Sequence, residues 1–420
     1  MSGQQTEAPR QIIVVGGGPA GMMAAITAAE NGAAVTLLEK MARLGRKMRI
    51  TGKGRCNLTN AAPMSEVIRQ FKGNGAFLHS VFAAFTNEDV IRFFTAQGVP
   101  VKTERGGRVF PVSDRAEDCV AAMVARLHEL GVTVRTDCAV QSVVCHEGSV
   151  TGVRTKAGEQ LAAEAVILAT GGASYPGTGS TGDGYAIARR LGHTVTPLLP
   201  SLVPLETEET WVLAVQGLSL RNVRVRLLAD GEEAESLFGE MLFTHFGVSG
   251  PVILSLSRRA AAELAAGHFV ELEINLKPAL TEEKLTARVQ RDLEKYQRKT
   301  LKNALVDLLP HKLIPVLLDA AYLTPDKDVS QITAKERARL VYALQHLGLT
   351  VTRTRPLAEA IVTAGGVSVK EIQPKTMESK RIHGLFFAGE LVDVDAFTGG
   401  YNLQAAFSMG VAAGSYAAWG

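Results

Sequence analysis

The feature that most constrains this chain is a glycine-rich turn near its amino terminus, placed between two short apolar segments. The apolar run at residues 11–15 (QIIVV) predicts a buried parallel strand, and the turn at residues 16–21 (GGGPAG) leads into a helix over residues 22–30. A second strand is expected over residues 34–38, with Glu39 at its carboxyl end. This order of strand, turn, helix, strand and acid is typical of a dinucleotide-binding unit.

The chemistry of such a unit explains the residue types at the turn. Gly16 permits the tight turn, Gly18 lets the backbone approach a pyrophosphate, and Gly21 allows the helix to pack closely on the strand. The start of the helix offers unpaired N–H groups and the positive end of its dipole to the phosphates. Glu39 can accept hydrogen bonds from both ribose hydroxyls, which favours FAD or NAD over a cofactor with a phosphorylated ribose.

A second G-x-G-x-x-G match, at residues 177–182 (GTGSTG), shows how little the glycines indicate alone. A helical segment follows it, but a loop separates it from the strand predicted at residues 164–169, and no second strand ending in an acid comes after it. We therefore interpret the second match as a glycine turn and the first as the cofactor fingerprint.

Segments near the carboxyl end supply what an extended FAD molecule needs. Residues 384–390 (GLFFAGE) predict a strand running into a loop at Gly389 and Glu390, where an acid can bond ribityl hydroxyls. Residues 399–410 (GGYNLQAAFSMG) predict a helix whose start can meet the pyrimidine edge of the flavin, where the reduced ring carries negative charge. A core helix behind a loop is the alternative for that last segment. Together these segments favour FAD over NAD.

The rest of the chain is interpreted as one domain interrupted by two insertions. A length of 420 residues is too great for a single core. Short strand-like runs dominate the middle, charged helical patterns follow, and the glycine-rich style of the first part returns near the end. We expect an FAD-binding domain at residues 1–192 and 356–420, a strand-rich insertion at 193–277 with about 348–355, and a helical insertion at 278–347.

Composition narrows the classes of protein further. The formal net charge of +3 is too small to indicate nucleic acid, and the Lys and Arg residues of the helical insertion alternate with Asp and Glu, which favours a solvated face. The four cysteines form no C-x-x-C pair, so neither a dithiol relay nor a zinc ribbon is expected, and no metal site is predicted. The first residues lack the apolar stretch of a signal peptide, and no apolar run is long enough to span a bilayer. We expect a cytoplasmic protein with a small-molecule substrate, no membrane partner and no nucleic-acid partner.

Several longer motifs carry a resemblance that extends over nearly the whole chain. In order, they are GGGPAG, GRKMRITGKGRCNLTN, LATGGASYPGTGSTGDGY, LFTHFGVSGP, TAGGV, TMESK and FAGELVDVDAFTGGYNLQ. Together they resemble the BaiN-like, or aminoacetone-oxidase-like, family of NAD(P)/FAD-dependent oxidoreductases. The resemblance implies an α/β fold in which a discontinuous FAD-binding Rossmann domain of the glutathione-reductase type carries β-barrel-like and helical inserted domains.

The resemblance also implies a set of cofactor-binding residues. Gly16, Gly18, Pro19, Ala20 and Gly21 would hold the pyrophosphate, Glu39 and Lys40 the adenosine ribose, Lys47, Thr51, Gly52, Cys56 and Asn57 the pyrophosphate and flavin, Val140 the adenine, Glu390 the ribityl chain, and Asn402, Leu403 and Gln404 the pyrimidine edge, with Gly171 and Gly389 completing the set. Lys53 stands where the family often has glycine, which puts the backbone path of that loop in question.

The catalytic residues stay open at this point. Neighbouring cations would favour a thiolate at Cys56, but a small residue packed under the cofactor is the alternative. His245 could donate a proton over the flavin or hold a glycine-rich turn.

We expect an FAD-dependent oxidoreductase that acts on a small organic substrate by hydride transfer at flavin N5, with NAD(P)H or oxygen as the second redox partner. NAD(P)H would then bind as a transient electron donor. The alternatives are an FAD-binding, RNA-associated protein similar to tRNA-modifying flavoproteins and a flavin-binding protein that has no turnover.

Overall fold

A computed structural model describes residues 8–420, and the chain divides into two compact units. The first unit consists of the residues up to Leu199 together with Ile361–Gly420, and the second consists of Pro200–Ala360. The finer division made from the sequence, with boundaries after residues 192, 277, 347 and 355, remains a prediction.

The strands are short in the first unit and longer in the second. In chain order they are β1 (Gln11–Val15), β2 (Ala34–Leu38), β3 (Thr59–Asn60), β4 (Val101–Thr103), β5 (Arg108–Pro111), β6 (Thr133–Arg135), β7 (Val140–His146), β8 (Ser149–Thr155), β9 (Gln160–Ala162), β10 (Ala165–Leu168), β11 (Leu199–Ser201), β12 (Leu205–Thr207), β13 (Ser219–Ala229), β14 (Glu232–Phe243), β15 (Gly247–Ser249), β16 (Val270–Asn275), β17 (Leu347–Thr354), β18 (Val362–Ala364) and β19 (Leu385–Phe387).

The longest helices lie near the two ends of the chain and in the second unit. In chain order the α-helices are α1 (Pro19–Glu30), α2 (Arg46–Gly54), α3 (Met64–Arg69), α4 (His79–Ala84), α5 (Asn87–Ala96), α6 (Ala116–Glu129), α7 (Asp183–Arg190), α8 (Pro251–Ala265), α9 (Glu282–Lys295), α10 (Leu301–Ala304), α11 (Ile314–Ala320), α12 (Ala334–Gln345) and α13 (Tyr401–Trp419). Within residues 8–420, no helix combines the length and apolar character needed to cross a membrane.

A five-stranded parallel sheet organises the first unit. Its strand order is β19-β10-β1-β2-β6, and every neighbouring pair is parallel. All residues of β10 are buried, as are four of the five in β1. Such continuous apolar runs are typical of parallel strands covered on both faces. The sheet therefore brings the carboxyl end of β19, from the far end of the chain, beside the ends of β10 and β1.

Helices α1 and α13 pack closely because small residues face each other. A Cβ atom on Gly414 would lie 2.4 Å from the carbonyl oxygen of Ala24, and one on Gly410 would lie 2.5 Å from that of Ala20. Glycine at both positions lets the two backbones approach. The last helix is thus held against the helix that follows the glycine turn.

The second unit contains a closed barrel of six strands in the order β12-β15-β14-β13-β16-β17. Neighbouring strands are antiparallel, and β16 alternates buried and half-buried residues as a barrel strand does. Leu285 and Val289 of α9 belong to the same apolar core as Leu272 of β16. The predicted fold class, an α/β Rossmann domain with barrel-like and helical insertions, is confirmed.

The chain enters and leaves the second unit side by side. Leu205 of β12 lies opposite Thr354 of β17, and the Arg355 N–H donates to the carbonyl oxygen of Pro204 at 3.0 Å. The insertion thus begins and ends at one narrow neck.

Candidate functional site

The three glycines of the first turn meet different surroundings. Gly16 has a φ of +107°, and a Cβ atom there would lie 2.5 Å from the carbonyl oxygen of Ala169. A Cβ atom on Gly21 would lie 1.8 Å from the carbonyl oxygen of Gly16, so close packing requires glycine at this position. Gly18 has an ordinary φ of −80°, and a Cβ atom there would meet nothing within 4 Å. Packing therefore explains Gly16 and Gly21, whereas Gly18 borders open space.

The start of α1 is available to an anion. Gly18 is the N-cap residue and Pro19 begins the helix, but no side chain caps it and no acid lies in its first turn. Its first N–H groups and the positive dipole end therefore face the space beside Gly18. Ala20 packs against the loop after β19, where a Cβ atom on Gly389 would lie 2.8 Å from the Ala20 Cβ.

The carboxylate of Glu39 is fixed at the end of β2. Its Oε2 accepts from the Gly17 N–H at 2.7 Å and its Oε1 accepts from the Met41 N–H at 2.8 Å. An ionised carboxylate has further lone pairs, so this one can still accept from a ribose. The neighbouring backbone leads to Val140, because the Cys138 N–H donates to the Glu39 carbonyl oxygen at 2.9 Å and Val140 opens β7 two residues later.

Lys40 points to the second glycine motif. Its ammonium group pairs with Asp183 Oδ2 at 2.9 Å and donates to the Thr181 hydroxyl. A Cβ atom on Gly179 would lie 2.9 Å from the Met41 side chain. The glycines at residues 177–182 thus allow a turn to pack beside the residues that follow β2, in agreement with their interpretation as a glycine turn.

The sequence between Lys40 and Asn60 shows no clear hydrophobic periodicity, but part of this stretch is helical. Helix α2 lies within it, broken where Thr51 turns to extended backbone with ψ 149°. The short helix forms because Gly45, with φ +68°, provides its start and approaches the side chain of Val120 in α6. Lys53 adopts a φ of +59°, a conformation that favours glycine.

Cys56 lies in the core. It is fully buried, and the Arg55 guanidinium beside it in sequence is held by Glu104 and Asp114. The hydrogen bond with Cys56, together with burial, raises the pKa of the Cys119 thiol far above its ordinary value. A buried thiol beside a second thiol fits the packing alternative for Cys56 and not an accessible thiolate.

The loop after Cys56 is tied to the start of α13. In the orientation that satisfies its partners, the Asn57 amide accepts from the Gly400 N–H at 3.0 Å and donates to the carbonyl oxygen of Val109 at 3.2 Å. Upstream, the Thr51 hydroxyl donates to the Met48 carbonyl oxygen at 2.7 Å, and Gly52 follows with φ +57°. This loop therefore joins α2 to the last helix.

A polar cluster surrounds Glu390 in the loop after β19. Lys47 Nζ lies 2.7 Å from Glu390 Oε2, and both side chains are about one-fifth exposed. Glu390 Oε1 accepts from the Thr363 N–H at 2.8 Å and from the Ser174 hydroxyl at 3.2 Å. Lys47 also donates to Ser174 Oγ at 2.7 Å. The cluster joins α2 with the loops that follow β10 and β19.

The neighbouring glycines make this cluster possible. A Cβ atom on Gly172 would lie 2.6 Å from Glu390 Oε1, and Gly171 has a φ of +72°. Ser174 and Thr363 were not named as site residues from the sequence. A signal was present, because they belong to the motifs LATGGASYPGTGSTGDGY and TAGGV.

The first turn of α13 combines structural side chains with an open backbone. Asn402 Oδ1 accepts from the Ala396 N–H at 2.9 Å, and its Nδ2 donates to the Ala396 carbonyl oxygen at 2.9 Å. Gln404 is fully buried and donates to the Phe85 carbonyl oxygen at 3.2 Å. The N-cap residue Gly400 offers no side-chain cap. The side chains of Asn402 and Gln404 therefore have the structural roles that the core-helix alternative expected. The backbone N–H groups of the first turn, which includes Leu403, are not capped by a side chain.

His245 belongs to the second unit. Its side chain is exposed, and its ring lies edge-on to Phe246 with 4.9 Å between centroids. Among residues 8–420, no group of three or more His, Cys, Asp or Glu side chains could hold a metal ion.

Comparison with known proteins places this geometry in a family. The family described as HI0933-like protein Rossmann domain matches residues 10–416. The chain belongs to this family. The 3-dehydro-bile acid delta(4,6)-reductase of Clostridium scindens is 33% identical over 412 residues, which are 97% of this chain and 99% of the relative. A ribosomal RNA dihydrouridine synthase of Haemophilus influenzae is 32% identical over 406 residues, which are 94% of this chain and 95% of the relative.

A solved structure shows a similar fold at low identity. The 3-ketosteroid delta1-dehydrogenase from Sterolibacterium denitrificans, in complex with 1,4-androstadiene-3,17-dione, matches 98% of this chain and all of its own with a TM-score of 0.50 and 14% identity. The predicted family is confirmed, and with it FAD as the cofactor and the assignment as an enzyme. The protein is an FAD-dependent oxidoreductase.

Proposed function

We propose that this protein reduces a carbon–carbon double bond conjugated to a carbonyl group, with NAD(P)H as the electron source. The observation that carries the proposal is the likeness, over nearly the full length of both chains, to a relative described as a 3-dehydro-bile acid delta(4,6)-reductase. The name of the second relative describes related chemistry, since dihydrouridine arises when the carbonyl-conjugated double bond of uracil is saturated. Both names describe the reduction of a carbonyl-conjugated double bond, in a steroid in the first case and in RNA in the second.

The cofactor would lie across the carboxyl ends of the parallel strands in the first unit. The residues present fit it, because open space borders Gly18 and neither α1 nor α13 begins with a side-chain cap. We assign the pyrophosphate to the start of α1, the ribose to Glu39, and the flavin's pyrimidine edge to the backbone at the start of α13. The remaining expected contacts are assigned to Lys40, Lys47, Thr51, Gly52, Asn57, Val140, Gly171, Gly389 and Glu390.

Hydride chemistry at N5 is what a reduced flavin would supply when bound. Saturating a conjugated bond takes that hydride on the carbon remote from the carbonyl and a proton on the carbon beside it. The start of α13 contributes the positive end of a helix dipole, which stabilises negative charge on the pyrimidine edge. Lys47 and Glu390 neutralise each other at 2.7 Å, so they add hydrogen-bonding groups to the site without a net charge.

The experiment is an anaerobic two-step reduction of the purified, FAD-loaded protein. NADH or NADPH is added first, and we expect the visible flavin absorbance to be lost. A steroid enone is then added and should restore the absorbance, whereas the matching saturated ketone should not. Loss of absorbance followed by recovery with oxygen alone, and with no unsaturated carbonyl compound, would instead make the protein an oxidase.

A uridine of ribosomal RNA is the second candidate substrate. It is favoured by the relative described as a ribosomal RNA dihydrouridine synthase. The helical part of the second unit also exposes cations at Lys284, Arg291 and Arg298. Other cations of this part form ion pairs with acidic side chains, as in Arg288–Asp292 and Lys295–Asp307, both at 2.7 Å.

The two substrates are separated by a parallel assay. The FAD-loaded protein is incubated with NADPH and ribosomal RNA, and dihydrouridine is measured by mass spectrometry. Its appearance, together with no reaction of the steroid enone and a steep dependence of RNA binding on salt, would favour the RNA substrate. The absence of a nucleic-acid partner, expected from the sequence, is tested by the same assay.

A further inference from the structure

A cavity of about 280 Å³ lies within the second unit. It opens between the first residues of β13, the end of β16 and the segment that follows α10. Its apolar wall and its two cationic side chains are formed by Leu220, Val223, Leu276, Leu309, Arg221 and Lys277. No acidic side chain lines it.

Lys277 is the more buried of the two cations. Its own N–H donates to Asn275 Oδ1 at 2.8 Å, which fixes the backbone at the end of β16. Burial lowers the pKa of the Lys277 ammonium group, and the nearby Arg288 lowers it further. The negative charge of Asp292 raises the pKa of Lys277, but the Asp292 carboxylate pairs with Arg288 at 2.7 Å. Among residues 8–420, the Lys277 ammonium forms no hydrogen bond or ion pair.

Arg221 reaches the cavity because β13 is irregular at this point. The pairing of β13 with β14 shifts register between Leu220 and Val223, and Asn222 has a φ of +56°. Such a bulge redirects side chains away from the regular alternation of a strand. It leaves Arg221 exposed at the cavity, which Lys277 also lines.

We propose that this cavity binds a small organic anion with an apolar body, of the size of a medium-chain carboxylate. The apolar body would replace water against Leu220, Leu276 and Leu309. The carboxylate would pair with Lys277 and Arg221, giving the half-buried ammonium group a direct ion-pair partner. The volume, close to the lower end of roughly 300–1,000 Å³ for ligand pockets, suits such a ligand and not a larger ring system.

The test is a displacement assay on the FAD-loaded full chain. The probe is 1-anilinonaphthalene-8-sulfonate, whose fluorescence rises when its apolar rings and sulfonate bind together. Octanoate should displace it, and octanol, which has the same tail and no charge, should displace it about tenfold less effectively. Equal displacement by octanoate and octanol would overturn the proposal.

Variants locate the binding. Lys277→Met keeps the apolar stem and should weaken octanoate about tenfold while octanol is unchanged, and Arg221→Gln should weaken octanoate by a smaller factor. The control is Lys335→Met, an exposed lysine on α12 that does not line the cavity. If octanoate binds equally to all variants that remain folded by circular dichroism, the cavity is not the site. Because the readout is binding and not turnover, this result is independent of the proposed reaction.

Discussion

Gly18 and Gly21 belong to the same turn, but different physical constraints act on them. At Gly21 the backbone of Gly16 occupies the place of a side chain, whereas at Gly18 nothing within 4 Å does. A methyl group at Gly21 therefore disturbs the protein itself. A methyl group at Gly18 disturbs what binds beside the turn.

Alanine substitutions at these two positions separate folding from cofactor binding. We expect Gly21→Ala to destabilise the fold by about 1–3 kcal/mol or more, as overpacking does. Gly18→Ala, with φ −80°, should leave the unfolding free energy of the FAD-free protein within about 0.5 kcal/mol and weaken FAD binding about tenfold. The measurements are urea unfolding and FAD titration. Unchanged FAD affinity in Gly18→Ala would contradict the placement of the pyrophosphate.

His193 is a buried titratable group outside the cofactor site. Its Nε2 lies 3.0 Å from Ser379 Oγ, and its Nδ1 lies 3.2 Å from Glu371 Oε2. The ring packs edge-on to Phe387 at 4.8 Å. Burial lowers the pKa of His193, although Glu371 opposes the shift and Arg381 adds to it.

The sign of the resulting pH dependence follows from linkage. The unfolded chain takes up the histidine proton at about pH 6.5 and the folded chain only at lower pH, so stability is lost as pH falls below about 6.5. Although burial has the opposite effect, hydrogen bonds from Thr194 and the charge of Arg381 outweigh it and lower the pKa of Glu371. Glu371 therefore stays ionised across this pH window. We expect His193→Gln to flatten the decline in unfolding free energy between about pH 7 and pH 5. The control is the exposed His146→Gln, which should retain the slope.

At the scale of elements, the site depends on contacts between segments that are distant in sequence. Helix α2 contributes Lys47, and the loop after β19 contributes Glu390, and their ion pair is about four-fifths buried. Removing one partner of a largely buried ion pair leaves the other charge without compensation. This contact therefore holds α2 and the loop after β19 at a fixed distance.

Removing the charge of Lys47 should weaken the contact between α2 and the loop after β19. We expect Lys47→Met to lower the unfolding free energy by about 1–2 kcal/mol and to increase the rate of FAD loss. The neighbouring Arg46→Met is the control, since the Arg46 side chain is exposed and, within residues 8–420, its one hydrogen bond is to the Gly177 carbonyl oxygen at 3.0 Å. Lys47 and Glu390 interact directly if the double variant Lys47→Met with Glu390→Gln loses less unfolding free energy than the two single variants lose together.

At the scale of the whole molecule, the insertion has its own core and a narrow neck. Barrel and helices share one apolar cluster within residues 200–360. The ends of the insertion are hydrogen-bonded to each other at Pro204 and Arg355. Neighbouring strands lie about 4.8 Å apart, a gap that a short turn can close.

The first unit should therefore fold after removal of the insertion. We expect a chain with a short glycine-rich turn in place of residues 205–354 to be soluble and to bind FAD within about threefold of the intact chain. The measurement is FAD titration beside the intact protein. Gly18→Ala should weaken FAD equally in both chains. A truncated chain that folds by circular dichroism but does not bind FAD would show that residues of the insertion take part in cofactor binding.

Much of the fold could be predicted because its signals are local. Strands β1 and β2 appear at the predicted residues, since apolar runs between turns identify buried parallel strands without further information. Helix α2 was missed because its turns are stabilised by contacts with α6 and not by a periodic pattern of its own. The roles of Asn402 and Gln404 could not be read either, because their hydrogen-bond partners are set by how the loops fold back.

The sequence alone determined the dinucleotide-binding unit, the family, the position of Gly18 at the turn and the position of Glu39 at the end of β2. These follow from residue spacing over short distances, where backbone geometry leaves few choices. Only the tertiary structure decided that Lys47, Ser174 and Glu390 meet, and that Lys40 faces the second glycine motif. Those contacts depend on the order of strands in the sheet and on side-chain packing between remote segments, which no local pattern encodes.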